Sequence, residues 1–312
     1  MERIRKALER AGQDRLLTTT DELRQTPPLG QSDLSAGVRY TMTKTVEVSP
    51  QTLLENRIIA ALPEHQFKDA YRMLRTRVLQ TMRGNGWTSV AVTGPASGCG
   101  KTTTAINLAV SLAMEVTNSV LLVDLDLRRP TIHKYFGHEP ELGLSDYLLG
   151  NVPLHQTLFT PAIDRLVVLP GRNALQNSAE MLRSPRMIAL VNELRTRYQD
   201  RLIVFDLPPI LAADDALAFS PYADCFLMVA ECGGTRKEDL QKAYGILKNT
   251  PLVGTVLNKS EGPSSGYGYV AGAERKSFFR SGEKKKDSSA PGLTSGLASG
   301  LASGLKKRFS RK

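Results

Sequence analysis

Gly94-Pro95-Ala96-Ser97-Gly98-Cys99-Gly100-Lys101-Thr102-Thr103 is the stretch on which the fold of this chain turns. It follows a β-branched run, Ser89–Thr93, and precedes an apolar segment, Ala105–Met114, whose composition predicts a helix. A glycine-rich turn between a strand and a helix is the setting of a phosphate-binding loop. Glycines let the backbone wrap so that successive N–H groups point at phosphate oxygens, and the following helix N-terminus adds partial positive charge. Lys101 would then reach the β- and γ-phosphates, and the Thr102 hydroxyl would ligate magnesium. The strict pattern has glycine where this chain has Pro95, with Gly94 beside it.

Outward from the loop, short apolar runs recur at Ser119–Asp124, Leu166–Leu169, Leu202–Asp206, Cys225–Ala230 and Leu252–Leu257, with helical or irregular segments between most of them. This alternation predicts an α/β fold: a doubly wound, mostly parallel sheet of the P-loop NTPase type, with helices on both faces. Ligands of such sheets lie at the carboxyl ends of the strands. Asp124 and Asp206 each close a strand, so both are expected to converge on Lys101 and Thr102, with Asp126 looking toward the same crevice. Carboxylates there would hold the metal that accompanies the phosphates.

Three helices have legible chemistry. Phe67, Ala70, Tyr71, Leu74 and Val78 form one apolar stripe, while Asp69, Arg72 and Arg75 recur every three residues on another side. Ser184-Pro185 places a capping hydroxyl before a proline at the first helical position, and Met187, Leu190, Val191, Leu194 and Tyr198 supply the buried stripe. Thr235-Arg236-Lys237-Glu238 reads as a capping box.

Composition sets the organisation. With 312 residues, 41% hydrophobic and 23% charged, the chain is long enough for a substantial core. Residues 1–49 read as a short amphipathic helix carrying Ile4, Ala7, Leu8 and Ala11, then a linker; residues 50–262 as the folded domain; and residues 263–312 as a flexible basic tail. The 41 Lys and Arg exceed the 31 Asp and Glu. From Pro263 onward there are 11 basic and 3 acidic residues, which leaves 30 against 28 before it. The body is therefore nearly neutral, which argues against nucleic acid as a partner. The tail repeats Gly-Leu-Thr-Ser and Gly-Leu-Ala-Ser and ends in basic residues; glycine at every turn opposes a helix, so a flexible chain is the first reading and contact with an anionic membrane surface the alternative. Cys99, Cys225 and Cys232 form no C-x-x-C pair, which excludes a disulfide framework or zinc pattern and suits a reducing compartment. No apolar stretch approaches the ~20 residues of a membrane helix, and the charged start is unlike a secretory signal. A cytoplasmic location, peripheral at the inner membrane, is expected.

Together these residues resemble the bacterial tyrosine kinases, cytoplasmic P-loop proteins associated with capsular and exopolysaccharide export. The resemblance runs from about Phe67 to Lys259. Asp124-Leu125-Asp126-Leu127-Arg128-Arg129-Pro130 is similar to the family's D-x-D-x-R-x-P motif, and Asp206-Leu207-Pro208-Pro209 to its Walker B strand end, with Asp215-Ala216 at the expected distance downstream. The resemblance implies ATP- and Mg2+-dependent phosphoryl transfer to tyrosine hydroxyls. It assigns Gly98, Cys99, Gly100, Lys101, Thr102 and Thr103 to the phosphates, Asn258 to the adenine, and Thr102, Asp124, Asp126 and Asp206 to magnesium. Lys101, Asp124 and Asp126 become the catalytic set, with Asp124 accepting the tyrosine proton. Tyr267 and Tyr269 become the phosphate acceptors, a sparser set than the family's usual tyrosine cluster. Asp69, Arg72 and Arg75 stand where the family's E-x-x-R-x-x-R helix forms rings, which implies a homo-oligomer, and a separate membrane-spanning polysaccharide co-polymerase is the implied activator. The alternatives are a partitioning or positioning ATPase of the deviant Walker type, whose signature lysine would stand at Ala96, and a non-catalytic nucleotide switch.

Overall fold

The structure, a computed structural model, describes residues 43–260 apart from 116, 151 and 197–200. Eight strands make one sheet: β1 (Lys44–Thr45), β2 (Ser89–Thr93), β3 (Ser119–Asp124), β4 (Phe159–Thr160), β5 (Leu166–Leu169), β6 (Arg201–Asp206), β7 (Cys225–Glu231) and β8 (Leu252–Asn258). Their order is β1-β4-β5-β3-β6-β2-β7-β8. Every pairing is parallel except β4 with β5. The helices are α1 (Pro50–Glu55), α2 (Lys68–Asn85), α3 (Lys101–Ala113), α4 (Ile132–Tyr135), α5 (Leu144–Leu149), α6 (Ser178–Leu182), α7 (Pro185–Thr196), α8 (Asp215–Phe219) and α9 (Lys237–Ile246).

The central strands are apolar on both faces because both are covered, as a parallel sheet with crossover helices requires. Alternate residues divide between two cores. Val90, Val92, Val120, Leu122 and Val229 pack with Val78 and Met82 of α2 and with Ile106 and Leu108 of α3. Ala91, Leu121, Val123, Phe205 and Met228 pack on the opposite face with Leu182, Leu190, Phe219 and Ala243. Helix α3 is buried at all but two of its residues, which explains why it is apolar all round instead of striped.

Register aligns the strand ends. Asp124 of β3 is the direct partner of Asp206 of β6, and Asp206 is also level with Val92 of β2, one residue before that strand ends. At the opposite end of β2, the Asp224 carboxylate accepts N–H bonds from Thr88 and Ser89, both at 2.9 Å, and pairs with Arg195 at 2.7 Å. This clamp ties the starts of β2 and β7 to α7.

Some local expectations needed correction. The apolar stripe of α2 is set one turn later than expected: Phe67 and Ala70 are exposed, whereas Val78, Leu79 and Met82 are buried. The capping box at Thr235 does not form; its hydroxyl instead accepts from Glu231 N–H at 2.8 Å, closing the turn after β7. Ser184 does cap α7, its Oγ accepting from Met187 N–H at 3.2 Å. Lys44–Thr45 belongs to the sheet, ahead of the boundary that composition placed at residue 50, because a two-residue edge strand leaves no pattern in sequence. The N-terminal helix, Tyr198, Tyr267, Tyr269 and the basic tail lie outside the described residues.

Candidate nucleotide and metal site

The loop after β2 bends as its glycines allow. Gly98 and Gly100 have φ of +82° and +93°, a region open to glycine with little strain. A side chain at Gly100 would also overlap the Asn258 amide. Gly94, the residue out of step with the strict pattern, lies so close to Cys99 Sγ and the Val229 carbonyl that a Cβ would fall 2.5 Å from each. The chain thus needs glycine at 94, and Pro95 takes the position that follows.

Lys101 opens α3 and is buried, with 7% of its surface exposed. Thr102 Oγ1 donates to Asp206 Oδ2 at 2.6 Å. Asp124 uses Oδ2 to accept the N–H groups of Thr131 and Ile132, at 2.9 and 3.0 Å, and so caps the start of α4. Asp126 accepts from Arg129 N–H at 3.1 Å. The expected convergence of Lys101, Thr102, Asp124 and Asp206 on one rim of the sheet is therefore what the backbone register produces, with Asp126 near enough for Lys101 to act on it electrostatically.

Burial dominates the electrostatics of this rim and holds its carboxylates toward their neutral form. Burial, then the neighbouring Asp206 charge, holds the Asp124 carboxyl well above the usual range. Burial pushes Asp206 up to about 7, against the pull of Lys101 and the Thr102 hydrogen bond. Burial also raises Asp126. Asp124 Oδ1 and Asp206 Oδ1 are buried and have no hydrogen-bond partner among the described residues. Unpartnered carboxylate oxygens beside a threonine hydroxyl form the hard-oxygen donor set that magnesium takes. Among the described residues no three acidic, His or Cys side chains are gathered closely enough to hold an ion alone, so phosphate and water would have to complete its shell. The residues fit magnesium on those terms.

A cavity of about 400 Å3 opens over the loop, lined by Gly98, Gly100, Lys101, Thr102, Thr103 and Asn258. Asn258 Nδ2 donates to the Cys99 carbonyl at 3.0 Å, which ties the end of β8 to the loop. A carbonyl only accepts, so the amide group is oriented and Asn258 Oδ1 remains for a donor on a base. Cys99 itself is buried and its thiol is pushed upward by that burial, which leaves it an inert packing group.

Sequence reasoning missed several lining residues: Arg57, Ile59 and Tyr135, with Tyr71 assigned only to a buried stripe; Lys259, the neighbour of Asn258, lines the cavity as well. None lies in a recognisable motif; packing brings them in. Asp215 was noticed only for its spacing. Its side chain is fully buried, and it holds Arg128 through Nε at 3.1 Å. Of the three residues expected on the ring-forming helix, Asp69 and Arg72 form an exposed pair at 3.3 Å. Arg75 is turned inward, donating to the Ser111 carbonyl at 3.1 Å and lying 3.4 Å from Glu115.

Comparison with known proteins agrees with this geometry. Residues 90–277 match the family model described as the CobQ/CobB/MinD/ParA nucleotide binding domain. Tyrosine-protein kinase YwqD of Bacillus subtilis is 36% identical over 217 residues, 69% of this chain and 90% of that protein. The chain belongs to the bacterial tyrosine kinases. The kinase domain of Escherichia coli tyrosine kinase ETK superposes with a TM-score of 0.61 at 27% identity, covering 72% of this chain and 94% of that domain. The succinoglycan biosynthesis transport protein ExoP of Rhizobium meliloti is 29% identical over 70% of this chain, but the match spans only 28% of ExoP. This bacterial tyrosine kinase thus corresponds to nearly all of YwqD and to about a quarter of ExoP.

Proposed function

We propose that the chain is an ATP- and Mg2+-dependent protein-tyrosine kinase that phosphorylates tyrosines in its own C-terminal tail or a neighbouring copy's, within the machinery of exopolysaccharide synthesis and export. The observation that carries this reading is the buried lysine of the phosphate loop meeting a rim of raised, partly unpartnered carboxylates, in a chain of this family.

Each side chain then has a task. The Gly98–Thr103 backbone and the start of α3 cradle the phosphates, and Lys101 places its ammonium against them. Thr102, Asp124, Asp126 and Asp206 would hold the magnesium only together with phosphate and water, and the ion when bound would neutralise charge on the phosphate oxygens. Asn258 presents Oδ1 to the amino group of adenine. A tyrosine phenol, ordinarily protonated at pH 7 with a pKa of ~10, must lose its proton as it attacks. Asp124, whose Oδ1 is buried at the strand end without a hydrogen-bond partner, is the carboxylate we assign to take it.

Tyr267 and Tyr269 are the proposed acceptors, on a tail whose glycines ease entry into a crevice. The kinase domain is residues 50–262 together with the Lys44–Thr45 strand, preceded by a linker and followed by the acceptor tail. Among the described residues no helix is long and apolar enough to cross a membrane. A separate membrane-spanning co-polymerase is the proposed partner, a reading supported by the match to one part of a transport protein. Assembly into a homo-oligomer, with Asp69 and Arg72 on the exposed side of α2, would bring one tail to the next copy's site. The names of the relatives do not favour the partitioning-ATPase alternative.

The test is incubation with magnesium ATP, then intact-mass measurement and phosphosite mapping beside Lys101→Met. One-phosphate increments on Tyr267 or Tyr269 that vanish in the variant are expected. Hydrolysis of ATP with no phosphate on any tyrosine, in the presence of a co-polymerase, would replace the kinase by a nucleotide switch.

A further inference from the structure

The nucleotide cavity has a wall that the family match does not include. Arg57 lines it together with the loop residues, thirty-three residues before the matched domain begins at residue 90. Arg57 has φ of +58°, left-handed backbone that a non-glycine residue rarely adopts without a compensating contact. The surroundings force that conformation. Asn107, fully buried in the middle of α3, donates to the Arg57 carbonyl at 2.8 Å and accepts from Ala60 N–H at 2.8 Å. The same amide donates to the Thr103 carbonyl at 2.8 Å, so the first turn after the phosphate loop and the Arg57 turn hang on one side chain. Ile58 is fully buried beside it, and Asn56 donates to the Tyr135 carbonyl at 2.9 Å. An exposed arginine is thus held in an uncommon conformation by four hydrogen bonds and a buried anchor, facing a cavity floored by Lys101, Thr102 and Thr103. Among the described residues no carboxylate pairs with its guanidinium.

We propose that Arg57 is a phosphate-binding residue of this site: its guanidinium binds the phosphate chain of the bound nucleotide alongside Lys101, from a turn whose backbone Asn107 holds. The inference rests on the nucleotide-site reading above. A planar guanidinium suits phosphate oxygens bidentately, and the strained turn keeps it in place before the ligand arrives. The N-terminal segment therefore supplies part of the binding site and is more than a tether.

The test is calorimetric binding of Mg-ATP, Mg-ADP and adenosine to the full chain, for wild type, Arg57→Asn, Arg57→Lys and Lys101→Ala. Asparagine tolerates left-handed backbone, so Arg57→Asn removes the charge without disturbing the turn, and its unliganded melting temperature is expected to match wild type. Its affinity for ATP and ADP should fall about tenfold or more, the usual cost of a lost charged hydrogen bond, while adenosine affinity stays the same. Arg57→Lys should recover part of the loss. If Arg57→Asn binds both nucleotides as wild type does while Lys101→Ala binds neither, the clamp is refuted and the phosphate-loop reading survives. If adenosine affinity falls in equal proportion, Arg57 shapes the cavity and clamps no phosphate. If wild type binds no nucleotide, the site reading itself fails, and the clamp with it.

Discussion

Replacing Asp206 by asparagine tests whether the site carries a built-in electrostatic cost. Asp206 is 1% exposed, and burial lifts it from 3.8 to about 7 although Lys101 and Thr102 pull the other way. An acid whose folded pKa lies above its unfolded value contributes stability that is fully present below the unfolded value, here 3.8, and is lost as pH rises through about 7. At ~1.4 kcal/mol per tenfold change the whole loss is on the order of 4 kcal/mol, more than half of which falls between pH 5 and pH 8. Asparagine keeps an oxygen for the Thr102 hydroxyl and cannot ionise. The unfolding free energy of the metal-free, nucleotide-free protein should thus fall more steeply with pH in wild type than in Asp206→Asn. Asp124 shifts in the same direction and remains in the variant, so the quantity to follow is the difference between the two curves. Urea unfolding read by Trp87, the single tryptophan, supplies it at each pH. Parallel curves would refute the argument, because they would mean that Asp206 titrates alike in folded and unfolded chains.

Asp224→Asn should behave in the opposite sense. Burial raises the Asp224 carboxyl, but hydrogen bonds from Thr88 and Ser89 and the Arg195 charge outweigh it and hold the group below its usual value. Its contribution is present above 3.8 and is lost as pH falls through the folded value, so a deficit of about 2 kcal/mol at neutral pH should close in acid, as thermal melts would record. On α2 the two arginines should separate by assay. Arg75→Ala should lower the melting temperature, since the Ser111 carbonyl and Glu115 lose their partner. Arg72→Ala should leave the melting temperature nearly unchanged, because an exposed ion pair is worth ~0–1 kcal/mol, and should lower the mass seen in light scattering; an unchanged oligomer would remove Arg72 from assembly.

The sheet and the phosphate loop were legible because burial writes them into composition. A strand covered on both faces must be apolar throughout, and the polar residue that ends such a run, Asp124 or Asp206, stands out against it. The other half of the cavity left no such trace. Arg57 and Tyr135 arrive through packing between segments distant in sequence, and neither has a periodic neighbour to announce it. Asn107 was visible as a polar residue inside an apolar helix, yet nothing local says that its amide reaches residues 57 and 60. Arg75 misled for a related reason: its three-residue spacing from Arg72 suggests a shared face, whereas the slightly longer turn of the helix and the proximity of α3 draw it inward. Thr235 had the sequence of a cap but found a nearer donor in Glu231 N–H.

The charges of the site divide into two groups, and each group has a reason to wait for the other's ligand. Lys101, Arg57 and the start of α3 offer positive charge to a phosphate chain. Asp124, Asp126 and Asp206 offer negative charge to a cation, but at neutral pH burial opposes their ionisation. A bare nucleotide would bring its own negative charge toward those carboxylates, and a bare magnesium ion would find too few ligands to hold it. Together they satisfy both groups, and Thr102, bonded to Asp206 at 2.6 Å, stands where the two meet. Magnesium and nucleotide should therefore bind with strong positive coupling, each raising the affinity for the other by the same factor. Titrating ADP at fixed magnesium, and magnesium at fixed ADP, measures that factor twice. Because both ligands also associate in water, the solution complex must be subtracted first, and a coupling no larger than that association would leave the carboxylates without a part in binding.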